Sequence, residues 1–449
     1  METKKEGFPA AFWVCACTEI FERLAYYLGR SLILIFVTAS VATGGLGLSD
    51  TVAANMQSNL TAFSYLLPLF GAVIVDKYIG ARYTTPVGML IAAAGYFTGG
   101  IAKSSAGVYA MIFLVSLGLA LFKNGAIIGR VITDKSQMDP AFSMRYTLVN
   151  VGAFIGTFLV GILYKDVFAK DGVLGFAPCF KMAALMMVLG GLWYIFVCWR
   201  FLGDLGKLPF KKTLTEEEKA AEAKKKEETG TKQPLTTIEK KRIGAIFVAS
   251  LFSIVFWIFW YLGYMPVYFY WAENMDWVVA GYQVPSTWFD AANSLFCVIL
   301  GPVTAALWKK LAARPQGDMS LFRKTGLGIA IIGVGYLFYA AIDIMRGGEK
   351  ASVLWLIVFA FLLTMGEMFF SPLGHSFISK YSPSRYLAVM MSVWGFATFI
   401  AAKSYGPVYG LLFGGKIEFK VACIGVAVVS FAAALIMIAL DKTLSALVD

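Results

Sequence analysis

Residues 18–30 read Thr18-Glu19-Ile20-Phe21-Glu22-Arg23-Leu24-Ala25-Tyr26-Tyr27-Leu28-Gly29-Arg30, and they lie inside an apolar segment at about 10–38. This segment is long enough to cross a bilayer as a helix, which takes about 20 residues. An ionised side chain at the centre of a membrane costs roughly 2.5–3.5 kcal/mol on insertion scales. We therefore expect a membrane-spanning helix whose charged face points into a helix bundle.

The polar residues of this segment form a stripe. At about 100° per residue, Glu19, Arg23, Tyr26 and Arg30 fall on one face of a helix, and Glu22 lies on the neighbouring flank. A buried carboxylate beside a guanidinium can exchange a proton, because burial favours the neutral form and the cation favours the ionised form. The stripe indicates proton coupling, and the alternative is an ion pair that only locks helices together.

The composition of the whole chain agrees with a membrane protein. The chain has 449 residues, of which 59% are hydrophobic and 15% are charged, and its mean hydropathy is +0.70. Soluble domains carry roughly 25% charged residues. This composition excludes a soluble enzyme, a nucleic-acid binder and a disordered scaffold, and the net charge of +11 is no evidence for a nucleic-acid partner.

Apolar segments predict about twelve transmembrane helices, because backbone groups in lipid need hydrogen-bond partners within their own segment. The segments lie at about 10–38, 51–75, 83–101, 107–131, 146–165, 178–201, 243–271, 286–309, 325–345, 351–378, 387–412 and 417–440. The predicted fold class is therefore an all-α integral membrane protein with two six-helix bundles.

A charged stretch divides these segments into two halves. We predict an N-terminal six-helix bundle at 1–201, a charged cytoplasmic linker at 202–242 and a C-terminal six-helix bundle at 243–449. Two sets of six spans joined by a long loop are typical of transporters whose substrate site lies near the membrane midplane between the halves.

The basic residues predict the orientation. Most of the 39 Lys and Arg residues lie at the N-terminus and in every second loop after it, and the excess remains when 202–242 is left out. Basic loops face the cytoplasm, so we expect both termini there. The lack of a targeting segment leads us to expect the cell membrane, either a bacterial inner membrane or a plasma membrane.

Further polar residues interrupt other spans. Lys123 lies in the fourth span, Asn150 in the fifth, Asn293 in the eighth and Glu367 in the tenth. With Arg30, the cations come from the N-terminal half, and an acid with an amide comes from the C-terminal half, which suits a zwitterionic solute. Hydrogen bonding between helices is the alternative for each asparagine, and Glu367 is either a proton carrier or the partner of a cation.

The sequence shows no enzyme or cofactor motif. It has no Walker phosphate loop, and its six cysteines and single histidine lack metal-ligand spacing. We expect no cofactor and no ATP drive, and an integral membrane enzyme is the weakest alternative.

At these residues the chain resembles the proton-dependent oligopeptide transporter family of the major facilitator superfamily. The signature is Glu19-x-x-Glu22-Arg23 followed by Tyr26, Tyr27 and Arg30. The segment 71–82 resembles the superfamily's loop between spans two and three. Similar family motifs are Leu121-Phe122-Lys123-Asn124, the stretch 142–154 with Arg145 and Asn150, Trp288-Phe289 with Asn293, and the stretch 366–372 with Glu367.

The resemblance implies a proton-coupled symporter that imports di- and tripeptides by alternating access. The residues it implies for proton coupling are Glu19, Glu22, Arg23 and Glu367. It implies that Tyr26, Arg30 and Lys123 meet the peptide carboxylate, that Asn150, Asn293 and Glu367 meet its amino end, and that Tyr65 and Trp257 line the pocket. Peptides, protons and the bilayer are the expected partners, with no nucleic acid, and the chain is expected to be a monomer.

One position departs from the family pattern. Tyr261 stands where the family carries an acid in the seventh span, and that acid usually pairs with the arginine at position 30. We count Tyr261 among the candidate binding residues. The departure leaves an alternative function open: a proton-independent exchanger or facilitator of the same fold for modified amino acids or small organic anions.

Overall fold

The computed structural model describes residues 7–132, 135–209, 235–315, 319–383 and 386–448. Contacts between residues divide the chain into two compact units. The first consists of Met1–Ser49 with Phe63–Leu214, and the second of Asp50–Ala62 with Thr215–Asp449. The first thirteen residues of the second helix therefore pack with the later half of the chain.

A helix lies over each segment predicted for the N-terminal half. These helices are α1 (Ala10–Thr38), α2 (Asp50–Lys77), α3 (Ala81–Ile101), α4 (Ser105–Leu121), α5 (Asn124–Val131), α6 (Lys135–Ile162), α7 (Phe176–Trp193) and α8 (Trp199–Phe201). The π-helical turn Leu163–Val167 extends α6, and a second one, Tyr194–Cys198, joins α7 to α8. A 3₁₀ turn, Val41–Thr43, follows α1.

Small residues let α6 approach the backbone of α1. A Cβ atom placed at Gly156 would lie 2.4 Å from the carbonyl oxygen of Leu24, and one at Gly152 would lie 2.8 Å from that of Ile20. Any larger residue at these positions would push the helices apart, as in other membrane helix pairs that meet at glycine. This contact sets the position of every side chain on the same face of α6.

Helices also cover the segments predicted for the C-terminal half. They are α9 (Thr237–Leu262), α10 (Met265–Tyr268), α11 (Tyr270–Asn274), α12 (Trp288–Ala312), α13 (Leu321–Met345), α14 (Trp355–Tyr381), α15 (Leu387–Phe413), α16 (Phe419–Ala439) and α17 (Asp441–Val448). Four short strands connect their ends: β1 (Met275–Asp276) pairs in parallel with β4 (Ala351–Ser352), and β2 (Val278–Val279) pairs antiparallel with β3 (Tyr282–Gln283). Stacked rings fill the core of this unit, including Tyr339 on Phe359 at 3.5 Å and Phe256 on Phe370 at 4.0 Å.

The helices are suited to a membrane. Among the described residues, eight helical segments are long and apolar enough to cross one. Many of their large apolar side chains are exposed, such as Phe113, Leu251 and Val428, as expected for a surface that faces lipid rather than water. The all-α membrane fold is confirmed, whereas the number of crossings stays a prediction.

The predicted linker at 202–242 is described only at its two ends, since 210–234 lies outside the described residues. Helix α9 begins at Thr237, six residues before the predicted start of the seventh span. The reason is a capping box: Glu239 N donates to Thr236 Oγ1 at 3.2 Å, and Thr236 N donates to Glu239 Oε2 at 2.9 Å. Hydropathy marks only the apolar part of a helix, so it missed this polar first turn.

Candidate functional site

The first unit contains a buried ion pair between adjacent residues of α1. Arg23 donates from Nε to Glu22 Oε2 at 2.5 Å and from Nη2 to Glu22 Oε1 at 2.6 Å. The Glu22 side chain is 1% exposed and that of Arg23 is 27% exposed. The guanidinium also lies over the ring of Tyr26, 4.9 Å from its centroid. Two-point pairing of this kind adds geometric specificity as well as energy to an ion pair.

Glu19 pairs with a different arginine, from another helix. Its Oε1 atom accepts hydrogen bonds from Arg145 Nε on α6 and from Asn124 Nδ2 at the start of α5, both at 3.1 Å. The helical stripe predicted Glu19 and Arg23 side by side, but Arg23 bonds Glu22 instead. Each acid of the first helix thus has its own guanidinium.

Sequence reasoning quoted Arg145 and Asn124 in motifs but gave them no role. The predicted fifth span began at 146, which left Arg145 outside the membrane part of its helix. In the structure α6 begins at Lys135, so Arg145 lies three turns inside it. The sequence did contain a signal for this role: Arg145 directly precedes an apolar segment, and the first span contains two acids that need a cationic partner.

The candidate cations Arg30 and Lys123 both lie in the first unit. Arg30 is buried on α1, and its guanidinium carbon is 6.0 Å from the centre of the Tyr27 ring. Lys123 lies in a break between α4 and α5, where the sequence predicted one continuous span over 107–131. Its Nζ atom donates to the carbonyl oxygen of Pro68 at 2.7 Å.

Three further candidates of this unit have neutral polar groups. Tyr26 is buried, and its ring meets that of Tyr27 edge to face at 5.4 Å. Tyr65 is half-exposed on α2 and interacts electrostatically with Tyr27. Asn150 is buried on α6 and donates from Nδ2 to the carbonyl oxygen of Tyr146, one turn earlier.

In the second unit, Asn293 and Glu367 are in contact. Asn293 Nδ2 on α12 donates to Glu367 Oε2 on α14 at 3.2 Å and to Thr364 Oγ1 at 2.8 Å. The thiol of Cys297 lies 3.7 Å from the same carboxylate oxygen. Asn293 and Cys297 are neutral, so neither of them offsets a charge on this carboxylate. The side chains of Ser371 and Pro372, at the end of the tenth-span motif, lie outside the described residues.

Tyr261 belongs to an aromatic cluster in the second unit. Its ring stacks on that of Tyr405 at 5.0 Å and lies 5.9 Å from that of Trp257. The hydroxyl of Tyr405 in turn donates to Gln57 Oε1 at 3.2 Å and lies 3.2 Å from Thr61 Oγ1. Tyr261 is buried here as a ring that packs, which differs in chemistry from an acid at this place.

One buried acid of the second unit was overlooked. Asp290 lies in the first turn of α12, and its Oδ2 atom accepts a hydrogen bond from the hydroxyl of Tyr268 at 2.5 Å. The signal was present, because the acid stands one turn before Asn293 within the predicted eighth span. No group of three or more His, Cys, Asp or Glu residues suited to a metal occurs within the described residues.

Comparison of the sequence with known proteins finds similar transporters. A family model described as the POT family matches residues 204–413. Over 439 residues the chain is 25% identical to the uncharacterized transporter YclF of Bacillus subtilis (strain 168), covering 89% of this chain and 87% of that protein. It is 24% identical over 440 residues to a di-/tripeptide transporter of Lactococcus lactis subsp. cremoris, covering 86% of each. The chain thus matches the POT family model over 204–413 and is similar to a named di-/tripeptide transporter over most of its length.

The fold agrees with that of POT structures. The crystal structure of a peptide transporter POT in complex with sulfate matches with a TM-score of 0.87 at 23% identity, covering 99% of this chain and 98% of that one. At this identity the match shows the fold alone. The relatives are named as transporters and not as enzymes, and the helices suit a multi-pass membrane protein. The resemblance drawn from residues 19–30 is confirmed.

Proposed function

We propose that this chain is a proton-coupled symporter of the POT family that imports di- and tripeptides by alternating access. The observation that carries the proposal is the buried Glu22–Arg23 pair, bonded at two points. Removing one charge of a buried pair destabilises its surroundings by roughly 3–5 kcal/mol. A proton on Glu22 would therefore release Arg23, which gives proton binding a mechanical consequence. The name of the Lactococcus relative supports the substrate class.

The charges of the candidate residues suit a peptide with two ionised ends. In our proposal Arg30, Lys123 and Tyr26 receive the carboxylate, whereas Glu367, Asn293 and Asn150 receive the amino end. Tyr65, Trp257 and Tyr261 line the pocket for the side chains. Opposite charges attract strongly in a medium of low dielectric constant, so each end of the peptide has a favoured partner.

The proposed sequence of events links these groups. A proton on Glu19 or Glu22 loosens an arginine of the first unit, while a carboxylate at Arg30 and Lys123 draws the two halves together. Glu367 is a further candidate proton carrier. We place the protein in the cell membrane as a monomer, with both termini in the cytoplasm.

Uptake in liposomes tests this function. The purified protein is reconstituted, and accumulation of labelled dialanine is followed with and without an inward proton gradient. We expect accumulation that depends on the gradient and is competed by unlabelled di- and tripeptides but not by single amino acids. Uptake that is the same with and without the gradient would refute proton symport. Uptake that unlabelled peptides do not reduce would refute di- and tripeptides as the substrates.

The role of Lys123 has its own test. Replacement of Lys123 by Ala removes a cation proposed for the peptide carboxylate, so gradient-driven uptake should fall to the level of empty liposomes. The matched control is Lys207→Ala, since Lys207 pairs with Asp204 in the exposed segment after α8. Unchanged uptake in Lys123→Ala would show that the role is wrong.

A second candidate function is favoured by Tyr261. A buried ring stacked on Tyr405 cannot be protonated and deprotonated as a carboxylate can, which fits an exchanger or facilitator for modified amino acids or small organic anions. The variant Tyr261→Glu tests it, with Tyr261→Gln as a control of similar size without a charge. A marked gain of proton dependence in Tyr261→Glu alone would favour the exchanger.

A further inference from the structure

The guanidinium of Arg145 occupies a fitted position between three helices. Its Nε and Nη2 atoms both lie 3.1 Å from Glu19 Oε1 on α1. A Cβ atom added to Gly125 on α5 would come within 3.0 Å of Nη2 and 3.1 Å of Cζ. Asn124, beside that glycine, donates from Nδ2 to Glu19 Oε1 at 3.1 Å and to the carbonyl of Cys15 at 2.8 Å. We call Glu19, Asn124 and Arg145 the Glu19 latch.

The backbone of Arg145 is held, and its side chain is partly exposed. Arg145, Gly152 and Gly156 are separated by seven and four residues, so they lie on one face of α6. That face meets the backbone of α1 at Gly152 and Gly156. The side chain of Arg145 is 31% exposed and that of Glu19 is 2% exposed. The cation is therefore accessible to solvent, whereas the carboxylate is buried.

The charged surroundings couple the position of Arg145 to a proton. Glu19 interacts with Arg145 from α6 and with Glu22 and Cys15 from α1, and Arg145 also acts on Glu22. From the π-helical turn after α7, Cys198 lies against Cys15. Arg23 is occupied by Glu22. A buried carboxylate without a cation is costly, so departure of Arg145 and protonation of Glu19 accompany each other.

The neighbouring helices carry further charged residues. Arg130 lies on α5, Lys181 of α7 packs beside Gly100 near the C-terminal end of α3, and Arg200 of α8 is exposed. Asn124 is neutral and donates to the carboxyl group of Glu19. Arg145 is the cation that bonds this carboxylate in the structure.

We propose that Arg145 is a positioning residue of the transport machinery: it holds ionised Glu19 between α1, α5 and α6, and leaves it when Glu19 takes up a proton. The proton comes from water, the hydrogen bonds from Nε and Nη2 break, and the guanidinium stays charged and turns toward solvent. The latch then no longer ties α1 to α6. This inference rests on the proposed proton coupling and names the element through which a proton on Glu19 acts.

Two variants of Arg145 test the latch in liposomes. Arg145→Gln removes the cation, so we expect gradient-driven dialanine accumulation to fall at least tenfold, while exchange of labelled for unlabelled dialanine persists and loses its dependence on pH. Arg145→Lys keeps a charge but loses the two-point donor geometry, and it should recover part of the pH dependence. A wild-type pH profile in Arg145→Gln would overturn the inference.

A matched ion pair in the second unit provides the control. Arg346 Nε lies 2.8 Å from Asp343 Oδ1, and both side chains are largely buried. Arg346→Gln should lower the thermal stability and leave the pH profile of exchange unchanged. A pH profile altered as strongly in Arg346→Gln as in Arg145→Gln would mean that loss of any buried pair has this effect, and the latch would be refuted.

A measurement without transport separates this inference from the proposed function. We expect Arg145→Gln and Glu19→Gln to lower the thermal stability of the wild type by similar amounts. The double variant should resemble either single variant, because the two residues act as one unit. If the wild type shows no gradient-driven uptake but this non-additivity holds, symport fails and the latch stands. Additive losses of stability would overturn the latch.

Discussion

In the first unit, the carboxylates of Glu22 and Glu19 are paired with arginines at 2.5 and 3.1 Å. In the second unit, the carboxylate of Glu367 accepts hydrogen bonds from the neutral groups of Asn293 and Cys297, at 3.2 and 3.7 Å. A guanidinium offsets the charge of a buried carboxylate, whereas neutral donors stabilise that charge without offsetting it. We infer that protonation in the first unit releases cations, whereas Glu367 presents a charge that attracts an incoming ammonium group.

Glycines bring helix backbones together in both units. In the first unit α6 touches the backbone of α1 at Gly152 and Gly156. In the second unit a Cβ atom added to Gly328 on α13 would lie 3.0 Å from the carbonyl oxygen of Gly366 on α14. The approach at Gly156, where an added Cβ atom would lie 2.4 Å from a carbonyl oxygen, is the tighter of the two. Stacked rings, such as Tyr339 on Phe359, also fill the core of the second unit.

The largest expected effect comes from breaking the pair in the first unit. Glu22→Gln mimics the protonated acid and leaves Arg23 without its carboxylate, a loss of roughly 3–5 kcal/mol for a buried pair. Gradient-driven dialanine uptake should fall to background, while peptide exchange without a gradient continues. Glu418→Gln is the control, because Glu418 forms an exposed pair with Lys420 and uptake should stay normal. If dialanine uptake by Glu22→Gln still depended on the proton gradient, the proposed difference between the two units would be wrong.

A smaller effect is expected from the helix contacts. In Gly156→Ala the new Cβ atom meets the carbonyl oxygen of Leu24 at 2.4 Å, and overpacking of this kind costs about 1–3 kcal/mol. Gly301 on α12 has no atom within 4 Å of the added Cβ, so Gly301→Ala should be neutral or stabilise the helix by about 0.5–1 kcal/mol. Thermal unfolding in detergent measures both variants. Equal effects of the two substitutions would show that the approach of α6 to α1 does not limit the size of the side chain at position 156.

The smallest effect is expected at Glu367. Glu367→Gln removes the negative charge proposed for the peptide ammonium, so the affinity for dialanine should fall about tenfold, or about 1.4 kcal/mol. N-acetyl-dialanine has no ammonium group, and its weaker binding should be unaffected by the same change. Competition assays with the two peptides measure this difference. A similar loss for both peptides would assign Glu367 to the stability of the second unit instead.

The first helix shows how far local pattern reaches. Its apolar length, its charged stripe and the spacing of Glu19, Glu22 and Arg23 were all visible in one stretch of sequence, and they led to the family. Asn293 and Glu367 were also singled out from the sequence, and the structure brings their side chains into contact. Such features are predictable because a helix repeats every 3.6 residues, so spacing alone decides which residues share a face.

Other parts of the site were hidden from that reasoning. Hydropathy placed the start of the fifth span after Arg145, since it does not register the polar turns that begin α6 at Lys135. No proline precedes the break at Lys123, so the sequence did not indicate it. Asp290, in the first turn of α12, was overlooked. Each of these misses concerns a polar residue near a helix boundary, where apolar pattern carries no information.

Composition and the period of a helix were enough to predict the membrane fold, the charged first helix and a set of candidate residues. Which charges meet depends on the packing of the helices: Arg23 bonds Glu22, and Arg145 reaches Glu19 past Gly125. Pairing depends on how closely separate helices approach and on the rotamers that this approach allows. Glycines at 152 and 156 set that distance, and their effect becomes visible only when α6 lies against α1.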